Sequence, residues 1–249
     1  MELPVVITML KYFSLITLLL TLLPIMSSQA ETAPADNLSV LTPFKARYTT
    51  EWKVGWFSID VDATRELKQL DQQHWQLTFE AETSAAKLRE KSRFTLSPEQ
   101  RIQPLHYQYR ASGLFNEDDR TLQFLPDTHS IRDQEKNKTY PQVWQDEIHD
   151  NLTYMLQAGL DLAAGQQQFS YPVFEKNRNK AFRFEVIGEE TLNTRAGKLE
   201  TVKVRQIRKK KDREIIAWFA KDKHYLLVRL RDKKDGKKRY EINIRDIQM

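Results

Sequence analysis

The sequence predicts a mainly β protein: an antiparallel meander of about a dozen strands curled into a barrel or half-barrel, with one substantial α-helix packed on the apolar face. Three observations predict it. Apolar and polar residues alternate with a period of two over most of the chain, the pattern of strands buried on one face and therefore of antiparallel rather than parallel sheets. Short, charged, turn-like connections separate the alternating runs. A single stretch switches to helical spacing. An open flat sheet of that many strands would be unusual, so curling is expected.

Ahead of the strands, Leu10 to Met26 is almost wholly apolar, with Lys11 before it and Ser28-Gln29-Ala30 after it. That is the layout of a secretory signal. Residues 1–30 are read as a signal peptide starting at Met1 or Met9, with a single anchoring helix as the alternative. No Cys follows the cleavage site, which excludes a lipoprotein anchor. Residues 31–43, bracketed by Pro34 and Pro43 and lacking periodicity, are expected to be a flexible tether, and 44–249 a single β-rich domain.

The first strand sets Phe44, Ala46, Tyr48, Thr50 and Trp52 against Lys45, Arg47, Thr49 and Glu51. After Gly55, Phe57, Ile59, Val61 and Ala63 resume the pattern. Trp75, Leu77, Phe79 and Ala81 form a third strand; Leu105, Tyr107, Tyr109 and Ala111 form another. Between Trp144 and Gly165, Ile148, Leu152, Met155, Leu156, Leu160 and Ala163 fall on one helical stripe. Asp146 or Asp150 is expected to cap that helix at its start and Gly165 at its end. Beyond it, strands are expected over 169–174, 181–192, 199–207, 214–220, 226–231 and 239–247, with a bulge where alternation slips between Leu199 and Val202.

Composition narrows the function. With mean hydropathy of −0.63, only the N-terminal run could cross a bilayer, so a polytopic membrane protein is excluded. The 12 Phe, 9 Tyr and 5 Trp exclude a chain that never collapses. Zero cysteines remove thiolate catalysis, Cys-ligated zinc, iron–sulfur clusters and disulfides together. An exported chain without cysteine suits a bacterial periplasm, and the glycosylation-like triplets at Asn37, Asn137 and Asn151 are then chance.

Catalytic patterns are sparse. Histidines 74, 106, 129, 149 and 224 show no ligand spacing, and there is neither a nucleophile elbow nor a Gly-rich phosphate loop. Asp146, His149 and Asp150 cluster at the expected helix start, where they could make an acid/base or metal corner, but the macrodipole favours carboxylates there as caps. Asp60 and Asp62 share the polar face of a strand as a glycosidase's paired carboxylates would, which a solvated surface also explains. No enzyme activity, cofactor or metal is expected.

Several segments are similar to one family. Phe44-Lys45-Ala46-Arg47-Tyr48 leading into Trp52 and Gly55, Asp150-Asn151-Leu152-Thr153-Tyr154, Phe184 to Gly188 with Ala196-Gly197-Lys198, and Ala217-Trp218-Phe219 resemble the exported bacterial proteins of domain of unknown function 3108. The resemblance implies a periplasmic, mainly antiparallel β protein of Gram-negative bacteria and assigns no catalytic residue.

Charge is the remaining signal. Arg205 to Arg239 holds 15 basic and 5 acidic residues, a net +10 in a chain whose total is +5. In a meander alternate turns share one end, so Lys176, Arg178 and Lys180, then Lys209, Lys210 and Lys211, then Lys233 and Lys234 would form a basic rim, with tips about 10 Å apart. Anionic lipid or an acidic envelope partner is the expected target, and nucleic acid is not. Solubilising lysines at hairpin tips are the plain alternative. Two functions remain open. In the first, Trp52, Trp75, Phe79, Tyr107, Met155, Phe184 and Trp218 line an apolar concavity that binds a lipid or other amphiphile. In the second, aromatics fill a closed core and the protein is an envelope adaptor or assembly factor acting through the basic rim.

Overall fold

The computed structural model describes residues 41–54, 57–113, 118–208 and 212–249, with the backbone alone for 51–54 and 57–60. The signal segment and residues 31–40 lie outside the described residues. Fourteen strands form one antiparallel sheet: β1 (Phe44–Val54), β2 (Phe57–Gln69), β3 (His74–Glu82), β4 (Ala86–Leu96), β5 (Ile102–Gly113), β6 (Arg120–Leu125), β7 (Ser130–Asp133), β8 (Lys138–Tyr140), β9 (Gln168–Glu175), β10 (Arg178–Thr194), β11 (Gly197–Ile207), β12 (Arg213–Ala220), β13 (Leu226–Lys234) and β14 (Lys237–Gln248). Among the described residues one α-helix, α1 (Thr153–Ala163), interrupts the meander between β8 and β9. The spatial order runs from β8 back to β1, then from β14 back to β9, so the first and last strands pair and the two edges are β8 and β9.

No ladder among the described residues closes those edges, but side chains and one backbone segment span them. His149 N–H donates to Pro172 O at 2.8 Å and Phe174 N–H to His149 O at 2.9 Å, which covers the open edge of β9. Tyr140 of β8 meets the Phe174 ring at 5.5 Å, and Arg120 lies over that ring while bonding Asn177. The sheet is thus barrel-like without being closed.

This use of His149 explains why α1 is shorter than its spacing suggests. Residues whose backbone groups serve a strand edge cannot also make helical bonds, so the helix begins only at Thr153. Asp150 caps it: Oδ1 accepts from Leu152 N at 2.8 Å and Thr153 N at 2.9 Å, while Asp146 is exposed. At the other end Gly165 takes φ of +80°, with Gly165 N–H on Leu162 O and Gln166 N–H on Asp161 O, both at 3.0 Å, the paired bonds of a Schellman stop. Most of α1 is buried, and it contacts β5, β9 and β13, strands on different walls of the sheet. Gly159 faces the β12–β13 turn so closely that a Cβ there would lie 2.9 Å from Tyr225 O.

Three further expectations are corrected. Leu105 is not the inward residue of β5. A register shift opposite Arg93 and Phe94 makes it the extra residue, and Pro104 and Ile102 carry the buried face instead. Residues 199–202 pair regularly; the bulge is on β10, between Val186 and Gly188. Thr201 and Val202 are both buried because β11 is covered on two faces, and that is why its alternation slips. Leu41, placed within the expected tether, is 7% exposed and belongs to the core.

The second covered face belongs to the β10–β11 hairpin. Its tip residue Arg195 shares a surface hollow with Thr49 and Thr50 of β1 and Asn243 and Arg245 of β14. The hairpin therefore folds back across the outer face of β12 and β13, burying Leu192 and Leu199 there together with Trp218.

Candidate functional site

Inside the sheet, a cross-strand row joins Ala46 of β1 to Arg65 of β2, Phe79 of β3, Glu90 of β4 and Tyr109 of β5. Arg65, Phe79 and Glu90 from this row, with Tyr48, Leu227, Leu230 and Ile242, line a cavity of about 170 Å³ against the first turn of α1, where Asn151, Leu152, Tyr154 and Met155 complete the wall. An apolar void of about 150 Å³ takes a benzene-sized group, so this space is large enough for a ring or a short alkyl segment.

The cavity lies on one side of α1. On the other side Phe44, Leu67, Leu160, Tyr225 and Leu226, again with Arg65, Met155 and Leu227, border a much smaller hollow of about 30 Å³ at the end of the sheet that carries the β12–β13 turn. The side of α1 bearing the cavity faces the opposite end, where the β13–β14 turn lies.

Arg65 is the unusual wall residue. It is 5% exposed. Nη2 donates to Leu152 O at 3.3 Å, the Tyr48 hydroxyl lies beside the guanidinium, and Nε has no hydrogen-bond partner. Burial pulls its pKa down, opposed by Tyr48, Tyr154 and Glu90. Burial pushes the Tyr48 phenol up to about 12, and Tyr154 is raised for the same reason. Tyr48 OH donates to Leu227 O at 2.7 Å. Glu90 accepts the Tyr107 hydroxyl, and Asn151 Nδ2 donates to that same hydroxyl oxygen at 3.4 Å.

Of the residues expected in an apolar concavity, Phe79 and Met155 line the cavity. Tyr107 is buried behind it and holds Glu90. Trp75 is buried in the core, paired with Gln69 and Phe94, and does not line the cavity. Phe184 stacks on Tyr154 at 6.1 Å and Phe169 at 5.7 Å, which supports the helix from β9 and β10. The side chain of Trp52 lies outside the described residues. Trp218 is a correction: it is 1% exposed, but on the face of β12 opposite Ala217 and Phe219, which pack on Met155, Ala158 and Leu162. Its Nε1 donates to Glu190 at 2.9 Å and its ring meets the cations of Lys203, Arg229 and Arg231 at 5.4, 5.5 and 5.1 Å.

The acid–histidine cluster is fully engaged. His149, Asp150, Thr153 and Ser92 are each 0 to 1% exposed. Asp150 holds the helix start and accepts Ser92 Oγ; His149 Nδ1 lies 3.2 Å from Thr153 Oγ1. Asp62 is exposed and pairs with Arg245 at 3.4 Å, and Asp60's side chain lies outside the described residues.

The family profile described as "Protein of unknown function (DUF3108)" matches residues 44–243. The chain belongs to that family. No curated protein matches the sequence. A solved β-barrel-like protein of domain of unknown function DUF1849 from Brucella abortus superposes on this DUF3108 chain with TM-score 0.55 at 9% identity, over 84% of this chain and 98% of that one, a likeness of fold. A DUF1089 family protein from Pseudomonas aeruginosa aligns with TM-score 0.36 at 10% identity, over 71% of this chain and 92% of that one.

The meander of this DUF3108 domain places the β9–β10, β11–β12 and β13–β14 turns at one end, and Asp235 N–H donates to Asp212 O at 2.6 Å, joining the last two. Lys176, Arg178 and Lys234 are exposed there and Lys233 is half-buried, while Lys180 is tied to Glu175. Lys209, Lys210 and Lys211 lie outside the described residues. Arg65 and Glu90, missed as site residues, did leave a signal. Arg65 stands on the inward register between Ala63 and Leu67, and Glu90 between Leu88 and Ser92, charges where the alternation calls for apolar groups.

Proposed function

We propose that this DUF3108 protein is an exported, periplasmic, non-enzymatic carrier that binds an amphiphile in the concave face of its sheet. One observation carries the proposal. The sheet does not fill itself: a cavity walled by Tyr48, Phe79, Tyr154, Leu227, Leu230 and Ile242, with two charged side chains on its lining, lies beside α1. Mostly apolar walls with a few convergent polar groups are the usual constitution of a small-molecule site. The engagement of His149 and Asp150 in capping supports a binding role over catalysis. The basic turns suggest a second role at the same end, drawing the protein to an anionic membrane surface and presenting the cavity side of the helix toward it.

The test is native purification. Protein isolated from its own cell envelope and analysed by mass spectrometry should carry an amphiphile, and Leu230→Trp, which fills the cavity, should release it while leaving the melting temperature within a few degrees. An empty wild-type protein, or a Leu230→Trp variant carrying the same load, would refute the carrier role.

A further inference from the structure

We infer that the amphiphile is acidic, and that its anionic head group binds inside the cavity on the Arg65 guanidinium, with its tail against Phe79, Leu227, Leu230 and Ile242. The inference rests on the proposed cavity function and specifies the ligand class.

Arg65 is always charged, because arginine does not give up its proton at accessible pH. Enclosing such a charge is costly unless it is paired and its donors are used. Here the chain supplies little. The residue is 5% exposed, one nitrogen reaches a carbonyl at a long 3.3 Å, the Tyr48 hydroxyl is a second partner, and Nε is unused. No Asp or Glu forms an ion pair with it among the described residues, whereas Arg120, Arg213 and Arg239 all have carboxylates within 4 Å. Arg65 lines the cavity, and its guanidinium carries five N–H donors, more than Leu152 O and the Tyr48 hydroxyl take up. A guanidinium offers a planar fork that fits a carboxylate or phosphate through two parallel bonds. A neutral head would leave the charge compensated only by the Tyr48 contact and the fields of Tyr154 and Glu90. Glu90 lines the same cavity, but its carboxylate is engaged by Tyr107, and it lowers rather than removes the preference for an anion.

The walls set the rest of the ligand. Carboxylate and phosphate share the head-group chemistry, and a cavity of about 170 Å³ admits a short alkyl segment beside it. Calorimetric titration of the full chain with octanoate, octyl phosphate and 1-octanol tests this. Octanoate or octyl phosphate should bind at least about tenfold more tightly than octanol, the tenfold step corresponding to about 1.4 kcal/mol. Which of the two binds better tells a carboxylate ligand from a phosphate one. In Arg65→Met the anionic and neutral probes should bind alike, and Glu90→Gln should widen the wild-type preference. If Arg65→Met does not fold, Arg65→Lys, which keeps the charge and loses the fork, should still narrow the gap. Octanol binding as tightly as both anions in the wild type, or a preference that survives Arg65→Met and Arg65→Lys, would overturn the acidic head group and leave the cavity as a neutral amphiphile site. Failure of all three probes to bind would instead overturn the cavity function itself.

Discussion

Two arginines approach α1, and their surroundings treat them in opposite ways. Arg101, just ahead of β5, donates to Asp161 at 2.8 Å near the helix C-terminus. The same carboxylate takes the Tyr171 hydroxyl and Gln157 Nε2, and Gln157 in turn accepts Ile102 N–H at 2.9 Å. Arg65, near the helix N-terminus, has one long bond to a carbonyl, the Tyr48 hydroxyl and a spare nitrogen, with no carboxylate in an ion pair among the described residues. Burial differs too, since the Arg101 side chain is 37% exposed and Arg65 is 5% exposed, but the Asp161 carboxylate that Arg101 meets is as buried as Arg65, at 4%. The number of partners each buried charge has is the sharper difference. A buried charge with every valence used fastens one element to another, while a buried charge with a valence free, beside a cavity, is available to a ligand.

The largest expected effect breaks the fastened side. Asp161→Ala removes the acceptor shared by Arg101, Gln157 and Tyr171, and stripping one partner from a buried charged network typically costs about 3–5 kcal/mol. Urea denaturation should show a loss of that size. A loss below about 1 kcal/mol would mean that α1 is held by apolar contact alone, and the contrast between the two arginines would lose its basis.

The next effect has the opposite sign. Arg65→Met replaces an incompletely paired buried charge with an apolar side chain of similar length, an exchange that is often neutral or stabilising by about 1–4 kcal/mol. Equilibrium unfolding of the ligand-free protein should show no loss. A residue retained against stability is one retained for binding, so a clear destabilisation would place Arg65 among the structural residues with Asp161.

Much of this contrast was written in the chain, but not all in legible form. The strands β1 to β3 and β9 to β14 show their alternation openly, because their inward positions are mostly apolar. β4 does not: two of its inward residues are Glu90 and Ser92, which serve Tyr107 and Asp150, so the strand reads as polar on both faces. β7 and β8 are too short to establish a period. Trp218 was legible as buried and misplaced by face. The run Ile216, Ala217, Trp218, Phe219, Ala220 is wholly buried, which signals cover on both sides, but which side holds the helix depends on a hairpin folded back from β10 and β11. The cavity has no local signal beyond its two inward charges, because its walls come from β1, β2, β3, β4, β13, β14 and the start of α1.

A third buried group near the helix start sharpens the comparison by escaping the difficulty that Arg65 cannot. His149 can be neutral, and burial with the nearby Arg101 charge pulls its pKa down to about 3. A histidine depressed in the folded state takes up its proton in the unfolded chain first. Its contribution is therefore present above the unfolded value of about 6.5 and lost as pH falls toward 3, at no more than about 1.4 kcal/mol per pH unit. Asp150 works in the other direction, because burial raises its pKa and the folded protein binds that proton the more readily. Comparison with His149→Gln isolates the histidine. Between pH 7 and pH 5 the wild type should lose about 2 kcal/mol more than the variant in parallel urea titrations. Equal pH slopes would show that His149 carries its charge when buried, and the neutral imidazole that distinguishes it from Arg65 would not exist.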